Sequence, residues 1–166
     1  GDERWQLQTQ GVISGSPAVV DKTVHVASRD GTVHAIDAES GDRAWQFDVD
    51  GAVQGSPTIA HGTAFVGTNE GYLYAIDSTD EVTSSRGGWR CQTGGAIISS
   101  AAATGKHVFT ASTSVNIFAI LPEDGQTVWR FGFDSGVQGG PVVTDKWLYF
   151  GDTDGTVHAL RSGRTA

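Results

Sequence analysis

Five histidines, nineteen acidic residues and one cysteine are the groups in this chain that could do chemistry. A zinc centre needs His and Cys at close, regular spacing. His25, His34, His61, His107 and His158 form no His-x-x-x-His pair, and Cys91 stands alone. Hydrolysis by an activated serine would show Gly-x-Ser-x-Gly on a strand-to-helix turn, which is absent. No Gly-x-x-x-x-Gly-Lys-Ser/Thr phosphate loop occurs. Asp152-Thr153-Asp154-Gly155 has the start of a calcium loop but lacks the spaced glutamate downstream. Asp30, Glu70 and Asp154 could make a ring of carboxylates. Each directly precedes a glycine, where Asp serves the backbone of a turn, and they are read as hairpin residues. No metal site and no catalytic set is expected.

Composition narrows the partners. Nineteen acids against eleven Lys and Arg give a formal charge of −8. A nucleic-acid surface would need a basic stripe, so nucleic acid is excluded as a partner. No run of 18 apolar residues exists, so insertion of a helix into a membrane is not expected. A single cysteine makes no internal disulfide and leaves the redox compartment open.

The elements that must position any site are repeats. Trp5, Trp45, Trp89 and Trp129 are spaced by 40, 44 and 40 residues. Gly15-Ser16-Pro17, Gly55-Ser56-Pro57, Ser99-Ser100-Ala101 and Gly139-Gly140-Pro141 keep the same spacing. Two independent features on one spacing define a repeat, and 40–45 residues with only strand patterns fit a four-stranded propeller blade. Each repeat has a short apolar first strand, then an alternating second strand such as Thr23-Val24-His25-Val26-Ala27. A hairpin follows (Asp30-Gly31, Glu70-Gly71, Asp154-Gly155), then a third strand such as Thr32-Val33-His34-Ala35-Ile36, and a fourth strand with the Trp. Both turn residues of these hairpins are expected at positive φ. Ser114-Val115 in the third repeat predicts a turn of different shape. The four extra residues in repeat two, within 78–88, predict a surface loop.

The repeat columns reinterpret the histidines. His25 shares its column with Phe65, Phe109 and Tyr149; His34 and His158 share theirs with Tyr74 and Phe118. Histidine where siblings place aromatics is read as a packing residue. His61 and His107 lie alone at turns and are read as solvated.

The stretch Ala35, Asp37, Ser40, Gly41, Trp45 resembles the tryptophan docking motif Ala-x-Asp-x-x-Thr-Gly-x-x-x-Trp of quinoprotein-type, or PQQ-like, β-propellers. Ala75, Asp77 and Trp89 match around the insert. Ala119, Gly125 and Trp129 match, with Leu121 in place of Asp. Ala159 matches in the last repeat, where Arg161 replaces Asp and no Trp follows. The resemblance implies structural docking by Trp5, Trp45, Trp89 and Trp129 between blades. It implies an extracytoplasmic location. It leaves chemistry open, since the family holds scaffolds and sensor domains as well as dehydrogenases. The dehydrogenases add a calcium site, a catalytic Asp and usually adjacent cysteines; with Cys91 alone the cysteine pair is missing, and no Asn, Glu and Asp set can be assigned as calcium ligands. No cofactor is therefore expected, pyrroloquinoline quinone included.

The fold expected is all-β: four four-stranded antiparallel blades in one propeller-repeat domain over 1–166. Residues 1–14 form a closing strand, 15–54, 55–98 and 99–138 form three blades, and 139–166 supplies three strands of the fourth. The strand at Arg4-Trp5-Gln6-Leu7-Gln8 should complete the last blade, since raw edges otherwise stay exposed. It can do so within one chain, as a four-bladed ring, or between two chains, as an eight-bladed homodimer. The second is favoured because the resembled family builds eight blades. A third option is a segment of a longer chain.

Propeller first strands line the central channel. Ser14, Gln54, Ile98 and Gln138 are therefore expected at its mouth, beside hairpins carrying Arg29-Asp30 and Asn69-Glu70. Loops on a rigid scaffold commonly carry binding, so Ser14, Gln54, Gln138, Arg29, Asp30, Asn69 and Glu70 are the candidate ligand or partner site. The function expected is a non-catalytic scaffold or ligand- or protein-binding module. The alternatives are part of a quinoprotein dehydrogenase, or the sensor domain of a membrane receptor or kinase.

Overall fold

A computed structural model describes residues 1–79 and 87–161. The expected loop within 78–88 and the end of the fourth repeat fall mostly outside these residues. The described residues hold fifteen strands and no helix.

Blade 1 is β1 (Ala18–Val20), β2 (Thr23–Ala27), β3 (Thr32–Asp37) and β4 (Arg43–Asp48). Blade 2 is β5 (Thr58–Ala60), β6 (Thr63–Gly67), β7 (Tyr72–Asp77) and β8 (Gly87–Gln92). Blade 3 is β9 (Ala102–Ala103), β10 (Val108–Ser112), β11 (Asn116–Ile120) and β12 (Thr127–Gly132). Blade 4 is β13 (Val142–Val143), β14 (Trp147–Gly151) and β15 (Val157–Arg161). Each is an antiparallel meander in sequence order. β3, β7 and β11 each carry a register shift just after the alanine opposite the fourth-strand Trp.

Alternation sends one face of each blade to the blade before and the other to the blade after. Val33, Ala35 and Trp45 of blade 1 meet Val66, Tyr74 and Ile76 of blade 2. Phe65 and Leu73 of blade 2 meet Phe118 and Ile120 of blade 3. Phe109 and Ile117 of blade 3 meet Leu148 and Phe150 of blade 4. Burying each such side chain contributes roughly 1.5–3 kcal/mol, so these interfaces hold the blades together.

The innermost strands of neighbouring blades touch. The Gly-Ser-Pro series explains how. Ser16 N donates to Ser56 Oγ at 2.8 Å, and Ser56 N to Ser100 Oγ at 2.9 Å. A Cβ on Gly15 would meet Gly55 O at 2.6 Å, and one on Gly55 would meet Ser99 O at 2.5 Å. Glycine lets the inner backbones approach, and each serine hydroxyl satisfies the amide of the blade before it.

Three expectations need correction. Closure within one chain is not seen: residues 4–8 are not in a strand, and the three strands of blade 4 have no strand on the outer edge of β15 among the described residues. The segment lies against blade 1 instead, at the other end of the arc. In the hairpins only Gly31, Gly71 and Gly155 take positive φ (85°, 82° and 84°); Asp30, Glu70 and Asp154 do not. The loop runs one residue longer than a two-residue turn, with only the glycine left-handed. The turn at Ser114-Val115 does not differ in shape. Val115 takes φ 56°, and its carbonyl accepts from Phe133 N as Gly31 O accepts from Val49 N. The surrounding frame imposes glycine's conformation on a β-branched residue.

Candidate functional site

The loops entering the first strands lie beside the hairpins, where the channel mouth is expected. One backbone bond recurs in every blade. Arg29 N donates to Val12 O, Asn69 N to Ala52 O, Thr113 N to Ala96 O and Thr153 N to Gly136 O, at 2.8–3.0 Å. These bonds fix Arg29, Asn69, Thr113 and Thr153 at equivalent places around the mouth.

Three of the candidate residues come together there. Arg29 Nη2 donates to Gln54 Oε1 at 3.2 Å, and Gln54 Nε2 donates to Asn69 Oδ1 at 2.9 Å. The chain of bonds crosses from the blade 1 hairpin to the blade 2 hairpin. Arg29 is exposed, while Gln54 and Asn69 are half-buried. Arg29 keeps donors free for an acceptor arriving from solvent.

The other candidates are placed differently. Ser14 and Gln138 are exposed, each at its own blade. Asp30 is engaged in its own loop: Oδ1 accepts from Thr32 N and Oδ2 from Gln10 N, both at 2.9 Å. Burial works to raise the Asp30 pKa, but these amides and the hydroxyls of Ser28 and Thr32 outweigh it and hold the carboxyl below its usual range. Glu70 lays its stem over Gly51. Neither acid is aimed into a shared cluster, and among the described residues no group of three or more His, Cys, Asp or Glu could hold a metal ion.

Two of the four Trp show the same docking geometry. Trp5 Nε1 donates to Ala38 O at 3.1 Å, and Trp89 Nε1 to Pro122 O at 2.8 Å. The rings lie on Gly41 and Gly125, which take φ 80° and 74°. Within each blade the Trp also meets the aromatic column. Phe65–Trp89 and Phe109–Trp129 centroids are 5.9 Å apart, and His25–Trp45 5.7 Å. His158 stacks on Phe150 at 4.9 Å, with Nε2 2.7 Å from Asp152 Oδ2. This histidine, the amides of Thr156 and Asp154 and the Ser135 hydroxyl lower the Asp152 pKa to about 2.

A groove of about 330 Å³ escapes a reading by motif. Gln8, Gln10, Asp30, His34, Arg43 and Gln46 are among its lining residues. His34 is 4% exposed, and among the described residues neither ring nitrogen has a hydrogen-bond partner. Tyr74 stands in the same column of blade 2 and reaches Asp50 Oδ2 with its hydroxyl at 3.0 Å. Histidine is shorter, so that reach is lost. Burial first, then the charge of Arg43, lowers the His34 pKa against the pull of Asp30 and Asp48. The column comparison flags the swap of His for Tyr but not the space it leaves.

The fold is that of a propeller built from PQQ-like repeats. The chain belongs to the family described as outer membrane protein assembly factor BamB, whose model matches residues 1–84 and 81–166. No curated protein matches it. BamB from Moraxella catarrhalis is 24% identical with a TM-score of 0.80, over 95% of this chain and 48% of that one. The chain thus spans about half the length of that structure. The computationally designed Ika4 protein is 21% identical with a TM-score of 0.81, over 98% of this chain and 99% of that one. Quinohemoprotein alcohol dehydrogenase ADHIIG from Pseudomonas putida HK5 is 18% identical with a TM-score of 0.74, over 89% of this chain and 29% of that one.

Proposed function

We propose that this chain is a non-catalytic, extracytoplasmic propeller scaffold that binds an extended protein segment across its channel mouth. The observation that carries this is the bonded chain Arg29–Gln54–Asn69, which places an exposed guanidinium and two carboxamides on a rigid rim. Carboxamides and guanidinium pair well with the free N–H and C=O groups of an unpaired strand. The family's name, an outer membrane protein assembly factor, supports extended β segments as the substrate class and a location outside the cytoplasm.

A fluorescent ten-residue peptide of alternating apolar and polar residues serves as the probe, read by anisotropy. Arg29→Ala, Gln54→Ala and Gln138→Ala should each weaken binding with the fold intact. Affinity unchanged in all three would remove the mouth as the site.

The alternative is half of a quinoprotein dehydrogenase, supported by the likeness to a quinohemoprotein fold. The described residues do not fit the calcium-bound quinone, since no acidic cluster is present. Titration with pyrroloquinoline quinone and calcium decides it: a bound-quinone spectrum with dye reduction by alcohols would replace the scaffold reading.

A further inference from the structure

Blade 4 presents a face whose residues are interior residues everywhere else in the chain. Val157 is 79% exposed, whereas Val33, Leu73 and Ile117 in its column are fully buried. Tyr149 is 38% exposed, against 1–2% for His25, Phe65 and Phe109. Ala159 is exposed, while Ala35, Ala75 and Ala119 are buried opposite their Trp. Beside this face, β15 has no strand on its outer edge among the described residues. An apolar face with an open edge is a pairing surface.

The matching part sits at the other end of the same chain. Residues 4–13 lie on blade 1 as β8 lies on blade 3. Trp5 reaches Ala38 as Trp89 reaches Pro122, and Val12 accepts from Arg29 as Ala52 accepts from Asn69. The segment therefore has the place of a fourth strand on its following blade, without a strand partner among the described residues. Ile13 is 44% exposed, while Val53, Ile97 and Val137 in its column are at 1% or less. Ile97 rests on Gly67, and Gly151, exposed, stands in the column of Gly67.

We propose that a second copy of this chain covers blade 4, its residues 4–8 adding to β15 as the missing strand and its blade 1 packing on Tyr149 and Val157. The register follows from the other blades: Ala159 opposite Trp5 and Val157 opposite Leu7, as Ala35 faces Trp45 and Val33 faces Phe47. Ile13 of the second copy then lies on Gly151. The closing strand is docked beforehand, so association requires no unfolding. The number of copies is inferred from length. This chain covers 48% of the BamB chain at a TM-score of 0.80, so two four-blade arcs joined head to tail would match the length of that chain. The inference stands on the blade geometry and not on what the mouth binds, so peptide binding and ring closure fail separately.

The test is cross-linking in a Cys91→Ser background. Leu7→Cys and Val157→Cys are made singly and together. Each single variant alone should stay at 17.4 kDa on a non-reducing gel, and an equimolar mixture should give a band at twice that mass. The double variant should also run as a covalent dimer. Gln8→Cys with Thr156→Cys, an adjacent pair in the same register, repeats the test if the first pair disturbs folding. A double variant cross-linked within one 17.4 kDa chain would overturn the proposal in favour of a four-bladed ring. No cross-link in either pair, with circular dichroism unchanged, would also overturn it and leave the face to other repeats of a longer protein.

Discussion

Trp5 rests on Gly41. A Cβ at Gly41 would meet Trp5 Cγ at 2.5 Å, and the indole N–H reaches Ala38 O at 3.1 Å. Gly41 also needs the left-handed φ of 80° to turn the chain back after β3. One residue thus makes the turn and provides the bare surface for the ring. Trp89 on Gly125 repeats this thirty-three residues from its acceptor, as Trp5 does.

Trp89→Ala should lower stability by about 3–5 kcal/mol, since it empties a site between Phe65, Gly125 and Pro122. Chemical denaturation measures it. Trp5→Ala should cost less folding stability, because its own blade is not formed in one chain, and more association. Equal losses of folding stability in the two would contradict this difference.

Val115 carries left-handed backbone at φ 56°, which β-branched residues rarely take. Val115→Gly should raise stability by about 1 kcal/mol, and so the melting temperature by about 2–4 °C. Gly71→Val in the equivalent turn should do the reverse, because a Cβ there would meet Gly95 O at 2.7 Å. Calorimetry of both variants checks the pair.

His34 makes stability fall with acid. Its folded pKa lies below the ordinary 6.5, so the unfolded chain binds the proton more readily. Stability is then fully present above about 6.5 and declines as pH drops below it. Melting temperatures from pH 8 to pH 5 should show the decline, and His34→Phe, the residue type at Phe118, should remove part of it. Asp152 adds a lower window. Its pKa of about 2 means its contribution is lost only as pH falls below the ordinary carboxylate range.

Cys91 should be a slow thiol. Burial pushes its pKa up to about 11, with the Leu73 backbone bond opposing. Little thiolate exists at pH 8. Thiol reagents should label Lys106→Cys, at an exposed turn, faster than Cys91 in the native chain. Equal rates in the folded protein would contradict the burial.

The repeat was legible because two unrelated signals, Trp and Gly-Ser-Pro, share one spacing, and each has a physical job at a blade boundary. Columns also explained why histidines stand among aromatics. Other features depend on three-dimensional context. Val115 looks like a changed turn in sequence, yet Phe133 N donates to its carbonyl and Thr113 N, in the same hairpin, to Ala96 O, as in the other blades. Residues 4–8 read as a strand, but one chain supplies no neighbour for them. At the mouth, the spacing placed Gln54 between Arg29 and Asn69, while only coordinates show that the three bond in series. Asp30 is the opposite case: it turns back onto Gln10 and Thr32, which a residue type cannot reveal.

The solution mass tests the central claim most directly. Light scattering on the intact chain at about neutral pH should give twice 17.4 kDa. Each copy carries −8, so added salt should tighten the association by screening. Val157→Asp should return the mass to 17.4 kDa with the strand signal retained. A wild-type chain that stays at 17.4 kDa across concentration and salt would contradict the two-copy ring.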